Sequence, residues 1–180
     1  DILVGGRGAN RLDGGEGYDQ YVIEAGAGGT VIADYDPDNF VERIDLTALT
    51  SLRGLVDLTF TNEGANVRIT GTGLNIVLEN VQANQLNGGD FLFQGQDPRV
   101  YNVQAGTTNA QLQQLFDGAI PDAIINISAG TYSITETLEI SRGDITVKGA
   151  GENETIFRTD IGIDNPGPTI LVHPESLQDR

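Results

Sequence analysis

The chain has 180 residues, with 24 Gly, 6 Pro and no Cys, Met or Trp, which is room for one or two small domains. Apolar residues at 38% and aromatics at 6% leave a thin core of Ile, Leu and Val, which disfavours a compact helical bundle and suits many short strands joined by Gly, Asn and Asp turns. With 26 acidic residues against 10 basic, the net charge is −16; this surface argues against nucleic acid and anionic membranes as partners, and it attracts cations or serves simply as a solvated, solubilising face.

The first predicted element is a repeat. Gly5-Gly6-Arg7-Gly8-Ala9-Asn10-Arg11-Leu12-Asp13 runs directly into Gly14-Gly15-Glu16-Gly17-Tyr18-Asp19-Gln20-Tyr21-Val22. Both copies read G-G-x-G-x-[D/N]-x-U-x, where U is a large apolar residue. Asp1-Ile2-Leu3-Val4 fits the end of a preceding copy, and Gly26-Ala27-Gly28-Gly29-Thr30-Val31-Ile32 is a frayed further copy with Thr30 at the acid position. The glycines allow tight turns that point carbonyls inward, and the acid completes an oxygen cage that suits Ca2+. Leu12 and Tyr21 each end a short strand and fill the core. The bland alternative is a glycine-rich turn array without metal.

These repeats resemble those of RTX proteins. The next stretch, Val31-Ile32-Ala33-Asp34-Tyr35-Asp36-Pro37-Asp38 and then Glu42-Arg43-Ile44-Asp45-Leu46-Thr47-Ala48-Leu49, is similar to the exit from an RTX roll. Such exits occur in serralysin C-terminal domains and in the R-modules of mannuronan epimerases. The resemblance covers residues 1–93 and implies a parallel β-roll in which loops 18 residues apart stack on one edge. It places Asp1 and Asp19 on the same edge and Asn10 on the other. The implied Ca2+ ligands come from Asp1, Gly6, Gly8, Asn10, Gly15, Gly17 and Asp19. It also implies leaderless one-step (type I) export, a bacterial secreted or cell-surface location, and folding of residues 1–30 coupled to metal.

Three antiparallel strands are expected next, at residues 55–60, 66–70 and 75–78, with turns at Thr61-Asn62-Glu63-Gly64 and Gly71-Thr72-Gly73. Val81-Gln82-Ala83-Asn84-Gln85-Leu86 and Asp90-Phe91-Leu92-Phe93 close the first module, at residues 1–95. Gln94-Gly95-Gln96-Asp97-Pro98 reads as a linker.

The second module, residues 96–180, opens with N-cap candidates at Thr107-Thr108-Asn109. Leu112, Leu115, Phe116, Ala119 and Ile120 then fall at helical spacing before Pro121. Short strands follow at 124–127, 138–140, 145–148, 155–157 and 169–172. The starts of the first, third and fifth, and of the second and fourth, lie at intervals that suit stacked coils. Ile127-Ser128-Ala129-Gly130-Thr131-Tyr132, Leu138-Glu139-Ile140 and Ile145-Thr146-Val147-Lys148-Gly149-Ala150-Gly151 resemble the opening of pectate-lyase-like proteins. Mannuronan epimerase A-modules begin similarly. That resemblance implies a helix-capped, right-handed parallel β-helix, incomplete at residues 169–180, where Pro174-Glu175-Ser176 reads as the turn to another rung. The expected fold class is therefore all-β: a roll with hairpins, then a capping helix and the first coils of a β-helix.

No catalytic set emerges from the sequence. His173 is the only histidine, which excludes an H-E-x-x-H zinc site, and it reads as a loop residue. Gly149 and Gly151 are rung corners that fall short of a phosphate cradle, and the ring of Tyr132 caps a coil. Glu136 and Glu139 flank a turn. Arg142 and Lys148, the only lysine, could neutralise a uronate, but Asp144 offers a plain ion pair. Without Cys no disulfide or thiolate site is possible, and no run approaches the ~18 apolar residues of a membrane span. The chain opens at Asp1 without a visible leader and reads as a piece of a larger protein. Two functions compete. One is a non-catalytic module from a secreted enzyme, an epimerase or lyase acting on alginate, pectate or another acidic polysaccharide. The other is an adhesive surface protein that uses both modules as spacers.

Overall fold

The computed structural model describes residues 1–141, 143–159 and 170–172. Among them strands dominate and there is one α-helix, so the fold is β-rich. The chain divides into two compact units, Asp1–Asp97 and Pro98–Arg180.

The first unit holds β1 (Ile2–Val4), β2 (Arg11–Leu12), β3 (Gln20–Val22), β4 (Thr30–Ile32), β5 (Arg43–Asp45), β6 (Thr59–Glu63), β7 (Asn66–Gly71), β8 (Leu74–Leu78) and β9 (Phe91–Leu92). One sheet runs β1-β3-β5-β9, parallel throughout. The other runs β2-β4-β8-β7-β6, in which β2, β4 and β8 are parallel and the β8-β7-β6 part is antiparallel. Early strands alternate between the sheets because each nine-residue repeat supplies one two- or three-residue strand and one glycine turn. Gly6, Gly8, Gly15 and Gly17 have φ of 68°, 89°, 80° and 130°, left-handed values that penalise any side chain. Between the sheets lie Leu12, Tyr21, Ile32, Ile44, Ile69, Ile76, Leu78 and Phe91, all buried.

Two local expectations are corrected. Residues 55–57 do not begin a strand. Leu55–Asp57 is a single 3-10 turn, closed by the Asp57 carboxylate accepting the Arg53 amide at 2.8 Å. The following hairpin does not turn at 61–64: Glu63 still faces Asn66 across the ladder, and the turn is Gly64 and Ala65, with Gly64 at φ 66°. A two-residue loop requires such a left-handed position, and glycine supplies it there.

The second unit holds β10 (Val100–Val103), α1 (Asn109–Gly118), β11 (Ile124–Ile127), β12 (Gly130–Ile134), β13 (Leu138–Ile140), β14 (Thr146–Gly149), β15 (Thr155–Thr159) and β16 (Ile170–Val172). All its pairs are parallel: β10-β11-β14, β12-β15 and β13-β16. Apolar residues line one side, with Tyr101, Val103, Ile125, Ile127, Tyr132, Ile134 and Leu138 all buried. The expected columns of strands are revised. Ile170–Val172 stacks on Leu138–Ile140, not on β14, and Thr155–Thr159 stacks on Gly130–Ile134. Gly130–Ile134 is itself a strand, its exposed Thr131 and Ser133 alternating with buried Tyr132 and Ile134, so a coil carries three strands.

Helix α1 starts at a capping box: Thr108 accepts the Gln111 amide at 3.3 Å, and Gln111 returns a bond to the Thr108 amide at 2.9 Å. Leu112, Leu115 and Phe116 are buried, as is Ala119 just beyond. Expectations for Arg142, His173, Pro174, Glu175 and Ser176, and for the closing or opening of the coil at 169–180 apart from β16, fall outside the described residues.

Candidate functional site

The register of β1 against β3 sets Ile2 opposite Gln20, which brings Asp1 and Asp19 to the same end of the first unit. The β2–β4 pairing sets Arg11 opposite Val31, which brings Asn10 beside Thr30 at the other end. Seven candidate ligand residues thus separate into two groups: Asp1, Gly15, Gly17 and Asp19 on one edge, and Gly6, Gly8 and Asn10 on the other.

On the Asp19 edge one acid is withdrawn from solvent. The Asp19 side chain is 1% exposed, with Oδ1 accepting from the Asp1 amino group at 2.9 Å. Its Oδ2 is buried without a hydrogen-bond partner. An unsatisfied buried carboxylate oxygen is costly, and this atom is the place where the residues present fit a cation. The neighbouring backbone packs closely against it. A Cβ on Gly14 would lie 2.5 Å from Asp19 Cγ, 2.6 Å from Oδ2 and 2.8 Å from the Tyr21 hydroxyl. The Gly17 carbonyl accepts from Asn39 Nδ2 at 3.0 Å. Asp1 itself is exposed, and its carbonyl accepts the Gln20 amide within the ladder.

Further acids crowd this edge, and the repeat pattern alone did not identify them. Asp34 accepts from the Gly14 amide at 3.1 Å, the Gly15 amide at 2.5 Å and the Tyr21 hydroxyl at 2.9 Å. Burial pushes its carboxyl up, but the bonds from Gly15, Gly14 and Tyr21 outweigh burial and hold it below the usual range. Glu42, buried, accepts the Asp36 amide at 2.9 Å. Burial, and then the negative charges of Asp19, Asp36 and Asp34, push its carboxyl up to about 7 against the pull of the Asp36 amide. Asp34 and Asp36 belong to the exit stretch, so their signal lay in the phase of that stretch against the repeat. Glu42 carried no signal beyond its place before β5.

The Asn10 edge is organised differently. Asn10 Nδ2 donates to the carbonyls of Gly6 at 3.3 Å and Gly8 at 3.2 Å. The Gly8 carbonyl also accepts the Gly28 amide at 2.6 Å, and the Gly8 amide donates to Gly26 at 3.2 Å. Thr30, at the matching position of the next turn, is fully buried and its hydroxyl has no partner.

In the second unit the candidate residues do not converge. Tyr132 is 1% exposed and donates to the Ser128 carbonyl at 3.0 Å, a packing role. Glu136 and Lys148 are exposed, and Glu139 is held through its backbone by Gln113. Among the described residues no three His, Cys, Asp or Glu side chains are grouped to hold a metal ion. No helix there is long and apolar enough to cross a membrane. Comparison with protein-family models, with curated proteins and with solved structures finds no match for this chain.

Proposed function

We propose that the first unit is a calcium-binding RTX-type β-roll, and that the second is the opening of a pectate-lyase-like parallel β-helix. In this reading both belong to a larger secreted protein that modifies an acidic polysaccharide, of the alginate epimerase or lyase type. The observation that carries the calcium reading is the buried, partnerless Oδ2 of Asp19, set among left-handed glycine turns and beside Asp34, Asp36 and Glu42. A hard divalent cation takes six to eight oxygens and tolerates irregular geometry. Asp19 would supply the charge here and the Gly15 carbonyl a neutral oxygen, whereas the Gly17 carbonyl would have to exchange its bond from Asn39 Nδ2 for the ion. The β-helix reading draws on the all-parallel ladders of the second unit and on a helix at its start.

The chain is proposed to be non-catalytic by itself. Its described cations in the second unit are few, and no buried acid–base pair accompanies them. Export by a type I route goes with the calcium reading: the chain stays unfolded at low cytoplasmic Ca2+ and folds outside. Calorimetric titration with Ca2+ is the test. Saturable heat in the wild type and its loss in Asp19→Ala are expected, with a stabilisation by ligand linkage on the order of 3 kcal/mol at a hundredfold excess over Kd that raises the melting temperature. A wild type giving neither heat nor a shift overturns the reading.

A further inference from the structure

We infer that the two edges of the roll are closed by different chemistry, and that the Asn10 edge is held by an amide where the repeat pattern would place a metal ion. The inference rests on the calcium reading of the Asp19 edge for its contrast, but its own evidence lies elsewhere. In the first repeat Gly6 and Gly8 both take left-handed φ, and their carbonyls accept from a single atom. That atom is Asn10 Nδ2, at 3.3 and 3.2 Å. An amide NH2 has two donors and no charge, so it satisfies both carbonyls without a counter-ion.

The adjoining turn leaves little for a cation to gain. Gly8 and Ala27 form a parallel bridge, and the Gly8 carbonyl is already engaged by the Gly28 amide. The two acid positions of this edge hold Asn10 and Thr30, both neutral, so neither position supplies a carboxylate to a divalent ion; the Thr30 hydroxyl is buried without a partner, and the acid near the turn is Glu24, whose Oε2 would lie 4.0 Å from a Cβ on Gly6. Gly5 is part of the device: a Cβ there would come within 3.3 Å of Asn10 Nδ2, so glycine leaves the amide its room. One edge is therefore preformed, and only the opposite edge waits for metal. Such a roll has a folded starting turn on which metal-dependent closure can build.

The test uses the full chain with Asn10→Ala, Asn10→Asp and Asp19→Ala. In excess chelator, Asn10→Ala should lower the melting temperature of the first unit by roughly 5 °C, the loss of about one net hydrogen bond. Asn10→Asp should lower it further, because a carboxylate then faces two carbonyl oxygens. In Ca2+ titrations Asn10→Ala should keep the wild-type stoichiometry, while Asp19→Ala loses an ion. The inference is overturned if Asn10→Asp melts like the wild type in chelator, or if Asn10→Ala loses a Ca2+ ion, which would make the Asn10 side-chain oxygen a ligand. A wild type that binds no Ca2+ sinks the calcium reading of the other edge alone, and the chelator melts still decide the role of Asn10.

Discussion

At the scale of single residues, the first unit depends on a few close approaches around buried acids. Gly14 is needed for space rather than for backbone conformation: any Cβ would overlap Asp19 and the Tyr21 hydroxyl, both held in place by other contacts. Gly14→Ala should therefore destabilise the first unit by about 1–3 kcal/mol and weaken its response to Ca2+, whereas Gly54→Ala, with nothing within 4 Å, should do neither. Chemical denaturation of the two variants side by side checks this. Tyr35 and Asp90 make a second such contact. The Tyr35 hydroxyl, fully enclosed, donates to Asp90 Oδ1 at 2.8 Å, and the Asn87 amide donates to Oδ2 at 2.6 Å. Burial pushes the Asp90 carboxyl above its usual range, and the Asn87 and Tyr35 bonds pull it part of the way back. A carboxyl whose folded pKa is raised binds its proton more tightly folded than unfolded. Its favourable contribution is complete below the ordinary Asp pKa and is lost as pH rises through the folded value. Removing the hydroxyl in Tyr35→Phe takes away one of the bonds that favour the charged form. The variant should lose more stability at pH 7 than at pH 4, by about 1–2 kcal/mol. Urea melts of variant and wild type across that range measure the difference, and an equal loss at both ends would contradict it.

At the scale of elements, α1 does more than cover an apolar face. The Gln113 side chain pairs with the exposed backbone of β13, donating to the Glu139 carbonyl at 2.9 Å and accepting the Glu139 amide at 2.8 Å. One amide thus stands in for a neighbouring strand and blunts an edge that would otherwise offer free N–H and C=O groups. Gln113→Glu keeps the acceptor but sets a second oxygen against the Glu139 carbonyl. It should therefore destabilise the second unit more than Gln113→Ala, by about 1 kcal/mol, as read from thermal melts at neutral pH. The helix was legible in the sequence because its cap, spacing and stop all agree: Thr108, the apolar run from Leu112, and Pro121. The glycine turns were legible for a similar reason, since a positive φ recurring at fixed intervals favours glycine over any residue with a side chain. Gly130–Ile134 was not, because a Gly and two hydroxyl residues disguise the alternation that buries Tyr132 and Ile134, and missing it shifted the strand columns. The candidate site was legible only in part. Spacing separated Asp19 from Asn10, but it could not show that one is a buried oxygen without a partner while the other already spends its amide on two carbonyls.

At the scale of the whole molecule, the governing quantity is a net charge of −16, and it acts in two separable ways. Diffuse repulsion among exposed acids is relieved by any salt, since at about 0.15 M ionic strength charges more than ~8 Å apart are largely screened. The exposed pairs Arg11–Glu79 at 2.7 Å and Arg68–Glu63 at 2.6 Å take little part in this balance, because such surface bridges contribute little and weaken in salt. The crowding of Asp19, Asp34, Asp36 and Glu42 is different, because these acids are close together and Asp19 and Glu42 are buried, so screening by mobile ions reaches them poorly. Only an ion that enters the edge can meet Asp19 Oδ2. Na+ and Ca2+ at matched ionic strength should therefore have unequal effects. NaCl should raise the first unit's melting temperature slightly and equally in wild type and Asp19→Ala, whereas CaCl2 should add a further, saturable rise in the wild type alone. Mg2+, smaller and reluctant to shed water for irregular oxygen sets, should behave more like NaCl than like CaCl2. Equal shifts from all three salts would assign the stabilisation to screening and leave the acidic edge as a solvated surface.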